Sequence, residues 1–159
     1  MYTFDDIKKI EKTLKKYILF FIFATLIFAA VLYLLLKNWG TEIDPISLPV
    51  WPAYIIGVLY AVFSVFISTY MIARLFRYRA FVYSILNGLE KTVEGTIIKI
   101  GDSITYDKDL EFYSIELKLN DKEQTRTLRL DAIKDIAMFE ENKDMKLKVF
   151  GNYIKDILS

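Results

Sequence analysis

Two long stretches without a charged residue constrain this chain more than any other feature of its sequence. Residues 17–36 and 45–73 contain no Asp, Glu, Lys or Arg over 20 and 29 positions. A helix needs about 20 apolar residues to cross a hydrocarbon core about 30 Å thick, whereas apolar runs of about 10 to 14 residues are typical of buried core helices. The sequence therefore predicts two transmembrane helices, at about 17–37 and 52–73.

The first apolar stretch follows a Lys-rich start, which is the general shape of a secretory signal peptide. The stretch is longer than the usual apolar run of about 7 to 15 residues in such peptides, and no small-x-small cleavage pattern precedes residues 37–39. We therefore expect the first segment to stay in the mature protein.

The basic residues that flank the two windows predict the orientation of the hairpin. Eight of them lie before the first window or after the second, whereas the connecting loop carries Lys37 against Glu42 and Asp44. Basic flanks stay in the cytoplasm under the positive-inside rule, so we expect a multi-pass protein of the cell membrane with both termini cytoplasmic. The eight are also candidates for contact with lipid headgroups: Lys8, Lys9, Lys12, Lys15, Lys16, Arg74, Arg77 and Arg79.

Residues 1–16 have the pattern of an amphipathic helix. Phe4, Ile7, Ile10 and Leu14 recur at steps of three or four residues, with the lysines on the opposite side. Thr3 and Asp6 form a helix-start signal, with Asp in place of the usual Glu or Gln. Two interpretations stay open: a cytoplasmic extension of the first transmembrane helix, and an interfacial helix on anionic lipid.

Helix 2 carries a row of small residues that predicts close helix packing: Gly57, Ala61, Ser64 and Ser68. Their spacing places them on one helix face, where small side chains let another helix approach. They would pack against Ala24, Thr25 and Ala29 of the same chain, or against another subunit or partner. Neither window contains an ionisable residue, which argues against a pump or transporter built from the hairpin alone.

The sequence after helix 2 divides into a helical stalk, ending at Asn87-Gly88, and a β-rich region. From Thr92 the pattern changes to period two, with turn signals between the segments. A four-residue turn at 120–123 would place Ile115 opposite Leu128 and Tyr113 opposite Leu130. Residues 131–139 are predicted to form a short helix. The predicted strands are 93–100, 103–106, 110–119, 124–130, 145–150 and 153–157.

The fold class predicted from these parts is an α+β membrane protein. Residues 1–90 would form the amphipathic helix, the two transmembrane helices and the stalk, and residues 91–159 a soluble cytoplasmic domain. Five or six short strands with one helix in about 70 residues favour a small β-barrel of OB or SH3-like type.

This order of parts resembles NfeD-type membrane proteins, in which transmembrane helices lead into a C-terminal OB-like barrel. The resemblance rests on Gly95, Ile97 and Ile98 in the first strand and on the closing KLKVFGNYI sequence at 146–154. The Gly-Asp that often opens the final hairpin in that group is replaced by Lys143-Asp144 here. The resemblance covers at most the last 70 residues and implies a membrane-tethered assembly or interaction module.

The chain contains no Cys and no His, which excludes several chemistries. Disulfides, thiol nucleophiles and thiolate metal sites are absent, as are the usual neutral-pH acid/base and the commonest metal ligand. We therefore predict no enzyme activity, no catalytic residue, no metal site and no cofactor. Four carboxylates around 131–139 are the remaining candidates, and we interpret them as a solvated helix face: Asp131, Asp135, Glu140 and Glu141.

Nucleic-acid binding is disfavoured, although OB-like barrels often stack bases on aromatic residues. Residues 80–159 carry fifteen acidic against twelve basic groups, whereas nucleic-acid grooves need clustered Lys and Arg. The aromatic candidates are Tyr106, Phe112, Tyr113, Phe150 and Tyr153. The sparse basic set is Arg126, Arg129, Lys148 and Lys155.

Three functional hypotheses follow from this organisation. The leading one is a non-enzymatic membrane protein that tethers a cytoplasmic β-barrel interaction or assembly module. The alternatives are an accessory subunit of a transport or secretion complex, and an oligomeric pore resembling a mechanosensitive channel. The expected partners are the lipid bilayer and either further copies of the chain or another membrane protein.

Overall fold

The chain folds into two long helical stretches followed by five strands, with packing that separates into two units. The helical unit is Ile10–Phe76, and the barrel unit joins Met1–Lys9 to Arg77–Ser159. The predicted loop at 39–50 and most of the predicted turn at 120–123 lie outside the described residues. The computed structural model describes residues 2–38, 51–120 and 124–158.

Both charge-free windows lie in long helices. Helix α1 runs over Phe4–Asn38, so the amphipathic start and the first apolar window form one continuous helix. The second stretch consists of α2 (Trp51–Phe66), a π-helical segment (Ile67–Ile72) and α3 (Ala73–Asn87). Both stretches are long and apolar enough to cross a membrane. Only 0% and 6% of the residues in their most apolar windows are buried within the chain, unlike the core helices of soluble proteins.

The predicted ends of the helices agree with the structure. The Thr3 N–H donates to the Asp6 carboxylate at 2.9 Å, and the Asp6 N–H donates to the Thr3 carbonyl at 3.1 Å. These bonds satisfy backbone groups that the first turn of a helix leaves without partners. Helix α3 ends at Asn87, directly before Gly88, as the stop signal predicts.

Within the helical unit, α1 and α2 pack through aromatic side chains. The Tyr60 ring stacks on Phe28 with 4.0 Å between ring centroids, and its hydroxyl lies 2.5 Å from the Thr25 hydroxyl. Phe20 and Phe63 make an edge contact at 6.4 Å. A set of buried and half-buried α1 residues recurs at alternating steps of four and three residues, a spacing typical of paired helices. The set is Leu14, Ile18, Phe21, Thr25, Phe28, Leu32 and Leu35.

Five strands form a closed barrel with the order β1-β2-β3-β5-β4. All neighbours are antiparallel except β3 and β5, which are parallel and share a single residue pair, Arg129 with Tyr153. The barrel encloses a core of aliphatic side chains and Phe139. The strands are β1 (Lys91–Asp107), β2 (Leu110–Leu119), β3 (Thr125–Asp131), β4 (Asp144–Phe150) and β5 (Tyr153–Leu158).

Strand β1 is a single long strand, so the predicted turn at Gly101-Asp102 is wrong. The chain forms a bulge there, because three β1 residues between Ile100 and Ile104 oppose one residue of β2. Turn-forming residues suit a bulge as well as a hairpin, and the local sequence does not distinguish them.

The predicted register of β2 and β3 is confirmed. Ile115 lies opposite Leu128, and Tyr113 lies opposite Leu130. The turns predicted between strands 103–106 and 110–119 and between strands 145–150 and 153–157 are also present. Lys108 and Asp109 have φ of 51° and 62°, as in a type I′ turn, and Gly151 has φ of 56° in the β4–β5 turn.

The predicted helix over 131–139 is wrong. The segment contains a single 3₁₀ turn, Ile136–Met138, and Asp131 is the last residue of β3. The Asp135 side chain accepts a hydrogen bond from the Ala137 N–H at 2.9 Å and caps this turn. Acidic residues that favour a helix start here serve a strand end and a short turn instead.

Replacing Gly95 with Ala is expected to destabilise the barrel. Gly95 lies opposite both Leu119 and Met145, where β1 is paired with two strands at once. A Cβ atom at this position would lie 2.1 Å from the Lys118 carbonyl oxygen, so the backbones must separate. We expect a loss of about 1–3 kcal/mol in the free energy of opening of the barrel amides, measured by hydrogen exchange of the full chain.

Thr92→Ala is the matched control for Gly95→Ala. Thr92 is exposed on the same strand, so its truncation should change the opening free energy by about 0.5 kcal/mol or less. Equal exchange in Gly95→Ala and Thr92→Ala would contradict the close approach at Gly95.

Candidate functional site

The barrel unit contains one buried charged side chain among the described residues, Asp131 at the end of β3. Only 4% of the residue is exposed, although Leu128 and Leu130 fill the core beside it on the same strand. Removing a carboxylate from water costs several kcal/mol unless hydrogen-bond donors replace the water. Hydrogen-bond donors around Asp131 are therefore needed to stabilise this end of the barrel.

Three donors from three parts of the chain reach the Asp131 carboxylate. The Tyr2 and Tyr78 hydroxyls donate to Oδ2 at 3.1 Å and 2.7 Å. The Ile133 N–H donates to Oδ1 at 3.1 Å. Both oxygens thus have partners, and one carboxylate joins the segment before α1, helix α3 and the β3–β4 connection.

A second polar contact holds the N-terminal segment beside this carboxylate. The Lys134 ammonium lies 3.3 Å from the Asp6 carboxylate and 4.7 Å from the centroid of the Tyr2 ring. The two charged side chains are mostly buried, with 18% of Lys134 and 25% of Asp6 exposed. An ammonium over an aromatic face is attracted by the ring, so Lys134 binds two residues of the segment.

An aromatic cluster extends the contact between α3 and the barrel. The Phe81 ring meets Tyr2, Phe112 and Tyr153 edge to face at centroid distances of 6.2, 5.3 and 5.1 Å. Val82 and Ile85 are fully buried on the same helix. Edge-to-face rings and buried aliphatic side chains stabilise this helix position through apolar area and ring electrostatics.

A second polar group closes the barrel where its strands are most weakly paired. The Tyr153 hydroxyl donates to Asp107 Oδ2 at 2.5 Å, and the Arg129 guanidinium contacts the same oxygen. The Arg129 N–H also donates to the Asn152 carbonyl at 2.7 Å. These contacts join the end of β1 to β3 and β5, which otherwise share one residue pair.

The protonation states of the Asp131 site follow from burial and from neighbouring charges. Burial and the nearby Asp131 carboxylate raise the pKa of the Tyr2 and Tyr78 phenols far above their ordinary value. Both phenols are therefore protonated donors at neutral pH, and Asp131 is their acceptor. The site holds structural elements together and presents no phenolate base.

The pKa values of Asp6 and Asp107, in the barrel unit, are lowered. Partial burial alone would raise the pKa of Asp6, but the Thr3 N–H and the Lys134 ammonium outweigh it and lower that pKa. The hydrogen bond from the Tyr153 hydroxyl, with the Arg129 charge, lowers the pKa of Asp107 despite some desolvation.

The four carboxylates singled out in the sequence do not form one cluster. The prediction of a solvated face is wrong for Asp131, which is buried. Asp135 caps the 3₁₀ turn, the Glu140 carboxylate lies 3.2 Å from the Lys143 ammonium, and Glu141 accepts the Ile100 N–H at 3.0 Å. Within the described ranges, no three acidic side chains come together as a metal-binding group.

The structure places the four small residues of helix 2 in different surroundings. Ala61 and Ser68 are exposed, and Gly57 and Ser64 are half-buried. A Cβ atom on Gly57 would meet nothing within 4 Å, and the Ser68 hydroxyl donates to the Ser64 carbonyl at 2.6 Å. Tyr60 and Phe63 contact aromatic rings of α1, and a packing role for the small residues stays a prediction.

The eight basic candidates for lipid contact lie on the surface, with Arg79 half-buried and the others exposed. Lys8 pairs with Asp5 at 3.2 Å, and Arg77 pairs with Asp109 at 2.5 Å. Their role toward lipid stays a prediction.

The aromatic candidates for base stacking do not share a surface. Phe112 is buried with 1% exposed, whereas Tyr106 is 72% exposed. Tyr113, Phe150 and Tyr153 are half-buried. Of the basic set, Arg129 contacts Asp107 and Lys148 pairs with Glu90 at 3.2 Å.

Sequence reasoning missed the two tyrosines that bind Asp131. Tyr2 lies 129 residues from Asp131 and Tyr78 lies 53 residues away, so no local spacing relates them. The alternation that turns Leu128 and Leu130 inward assigns Asp131 to the opposite face, so the local pattern gave no signal of its burial.

Asp131→Ala is expected to loosen both helix ends from the barrel. The change leaves two buried phenol hydroxyls without an acceptor, at a cost of about 2–3 kcal/mol. We expect faster hydrogen exchange in residues 2–9 and 77–87 of the full chain. Asp102→Ala, at an exposed carboxylate of β1, should leave both segments unchanged. Equal protection of these segments in the two variants would contradict the proposed role of Asp131.

Acid is expected to destabilise the barrel unit. The pKa values of Asp6 and Asp107 lie below the ordinary 3.8, and hydrogen bonds from Lys155 and Lys148 hold the pKa of Glu90 below 4.5. Groups with lowered pKa stabilise the fold fully above their unfolded values, and this stabilisation is lost as the pH falls through the folded values. We expect a constant denaturant midpoint from pH 7 to about 5 and a decline below about pH 4, followed by near-UV circular dichroism.

Asp107→Asn provides the control for this pH dependence. The variant removes one of the three carboxylates, so its denaturant midpoint should fall less than that of the wild type between pH 5 and 3. A midpoint that rises on acidification would contradict the assigned directions.

The chain matches no protein-family model, no curated protein and no solved structure. The architecture itself is compatible with the resemblance to NfeD-type proteins, because two long apolar helices precede a closed five-stranded barrel. The likeness therefore rests on the order and type of the structural parts.

Proposed function

We propose that the chain is a two-span membrane protein whose cytoplasmic β-barrel serves as an interaction or assembly module rather than as an enzyme. The observation that carries this proposal is the Asp131 site. Tyr2, just before α1, and Tyr78, in α3, donate to the same carboxylate of the barrel. The barrel therefore binds the start of the first apolar helical stretch and the end of the second.

This contact supports a membrane hairpin. A chain that crosses a bilayer twice returns to the side from which it started, so the start of its first helix and the end of its second must meet there. Tyr2 and Tyr78 mark these two ends, and both reach Asp131. A single crossing would place Tyr2 and the barrel on opposite sides of the bilayer, which is incompatible with their hydrogen bond.

The exposed apolar surface of the helical unit supports insertion. Large side chains such as Phe23, Leu59 and Val62 are 64–65% exposed, along two helices whose backbone groups are satisfied internally. Continuous apolar surface of this kind is unfavourable in water, whereas lipid chains cover it. The basic residues before and after the windows favour the cytoplasm for the barrel.

The barrel supports a binding role by its type. Its order, β1-β2-β3-β5-β4 with a long β1 shared between β2 and β4, is that of OB-type barrels. Such barrels present strands and loops to partners while a closed core supports them. The resemblance to NfeD-type proteins adds a membrane-tethered assembly role.

Single introduced cysteines test the topology, because the wild-type chain contains none. Ser47→Cys, between the two helical stretches, should react with a membrane-impermeant maleimide in intact cells. Ser103→Cys, exposed on the barrel, should react with the maleimide in inverted membrane vesicles and not in intact cells. Both should react in detergent, which controls for intrinsic reactivity. Labelling of Ser103→Cys in intact cells would contradict the cytoplasmic location.

Native mass spectrometry tests the assembly role separately. For protein extracted from its native membrane in mild detergent, we expect a species that contains at least one further polypeptide chain. A bare monomer as the only species would contradict an assembly module while leaving the topology in place.

A further inference from the structure

The second half of β1 has a free edge. Strand β4 covers the first half of that edge by pairing with Lys91–Thr96. The Ile97 N–H donates to the Lys143 carbonyl at 3.1 Å, and the Ile100 N–H donates to the Glu141 side chain at 3.0 Å. From there to Asp107, no described strand pairs with the side of β1 that faces away from β2.

The β1–β2 turn determines which backbone groups point to this edge. A two-residue turn closes on a hydrogen-bonded pair, here Asp107 with Leu110. Hydrogen-bonded and non-hydrogen-bonded pairs alternate along the ladder, so Thr105 bonds to β2. The N–H and C=O groups of Ile104 and Tyr106 therefore point away from β2, toward the free edge.

The side chains at this edge are apolar in the centre and charged at the ends. Ile104 is 42% exposed and Tyr106 is 72% exposed, on the same face of the strand. Asp102 precedes them and Lys108 follows them. An open strand edge with exposed apolar side chains is a template for the addition of another strand.

We infer that this edge pairs with the same edge of a second copy of the chain. The two β1 strands would run antiparallel about a two-fold axis at Thr105. Each Ile104 would lie opposite Tyr106 of the second copy, and Asp102, in the bulge, would lie near its Lys108, in the turn. The inference rests on the proposed assembly role and names the partner and the surface for it.

Charge complementarity favours this register and a second copy of the chain as the binding partner. Pairing about Thr105 brings opposite charges together at both ends, because the two-fold axis repeats the contact between Asp102 and Lys108. Pairing about Ile104 also satisfies the outward backbone groups, but it moves Lys108 away from Asp102 of the second copy. The edge is therefore complementary to itself, as an isologous interface requires.

Membrane anchoring makes a short interface sufficient for dimer formation. The regular part of the edge, after the bulge, comprises four residues, Ile104 to Asp107. A ladder of this length is weak between molecules free in solution. Two barrels tethered to one membrane meet at a raised effective concentration, so weak pairing yields a dimer.

Disulfide crosslinking of full-length protein in its native membrane tests the inference. In the proposed register Thr105 faces Thr105 of the second copy in a non-hydrogen-bonded pair, with Cα atoms about 4.5 Å apart. This distance lies within the range that a disulfide bridges. We expect Thr105→Cys to form a disulfide-linked homodimer under mild oxidation, at least fivefold faster than Thr127→Cys, an exposed position on β3 that controls for random collision.

A second substitution tests the edge itself. Ile104→Lys in the Thr105→Cys protein places a charge at the centre of the pairing and should slow crosslinking at least fivefold. Ile104 is exposed, so the substitution should leave the topology labelling unchanged.

Four outcomes would overturn the inference. They are crosslinking of Thr105→Cys no faster than Thr127→Cys, no effect of Ile104→Lys, faster crosslinking of Ile104→Cys than of Thr105→Cys, and a disulfide to a different polypeptide. The cysteine labelling of loop and barrel reports the topology independently. Failure of this pairing is therefore distinguishable from failure of the proposed membrane arrangement.

Discussion

The burial of the Asp131 carboxylate is the interaction on which the barrel unit depends. A buried carboxylate without donors would cost several kcal/mol, which is a large part of the stability of a small domain. Its donors are phenols from Tyr2 and Tyr78, which lie on either side of the long helical region. Docking of both segments therefore supplies two of the three donors to this carboxylate, and the Ile133 N–H supplies the third. The N-terminal residues belong to the barrel unit for this reason, although most of the chain separates them from it in sequence.

The uneven distribution of charge matches this arrangement. The net charge of +1 is the balance of an excess of basic groups up to residue 79 and an excess of acidic groups after it. Contacts such as Lys134 with Asp6 and Arg77 with Asp109 join the two regions within the barrel unit. The exposed Arg77–Asp109 pair contributes little to stability, whereas the Lys134–Asp6 pair is mostly buried, and together with the buried phenols these contacts favour one docked position.

The predictability of each element followed the range of the interactions that determine it. The long helices were predictable because apolar length alone indicates them, and the β2–β3 register because a slip by one residue would turn Leu128 and Leu130 outward. Gly101-Asp102 and the segment 131–139 were misassigned because bulges, caps and turns use the same residues as hairpins and helix starts. The contact of Tyr2 with Asp131 joins residues 129 positions apart, and a single sequence contains no local pattern for such a pair.

The docking of α3 and the open edge both depend on the length of β1. Strand β4 has seven residues and covers less than half of the seventeen in β1, so barrel closure protects only the first part of this edge. The rest of β1 is needed because the turn end of the β1–β2 hairpin makes three contacts. Phe112 packs on the Phe81 ring, Asp107 accepts the Tyr153 hydroxyl, and Asp109 pairs with Arg77. A shorter β1 would remove the free edge together with these contacts. The fold that binds the helix end on one side of the hairpin thus leaves an unpaired strand edge on the other.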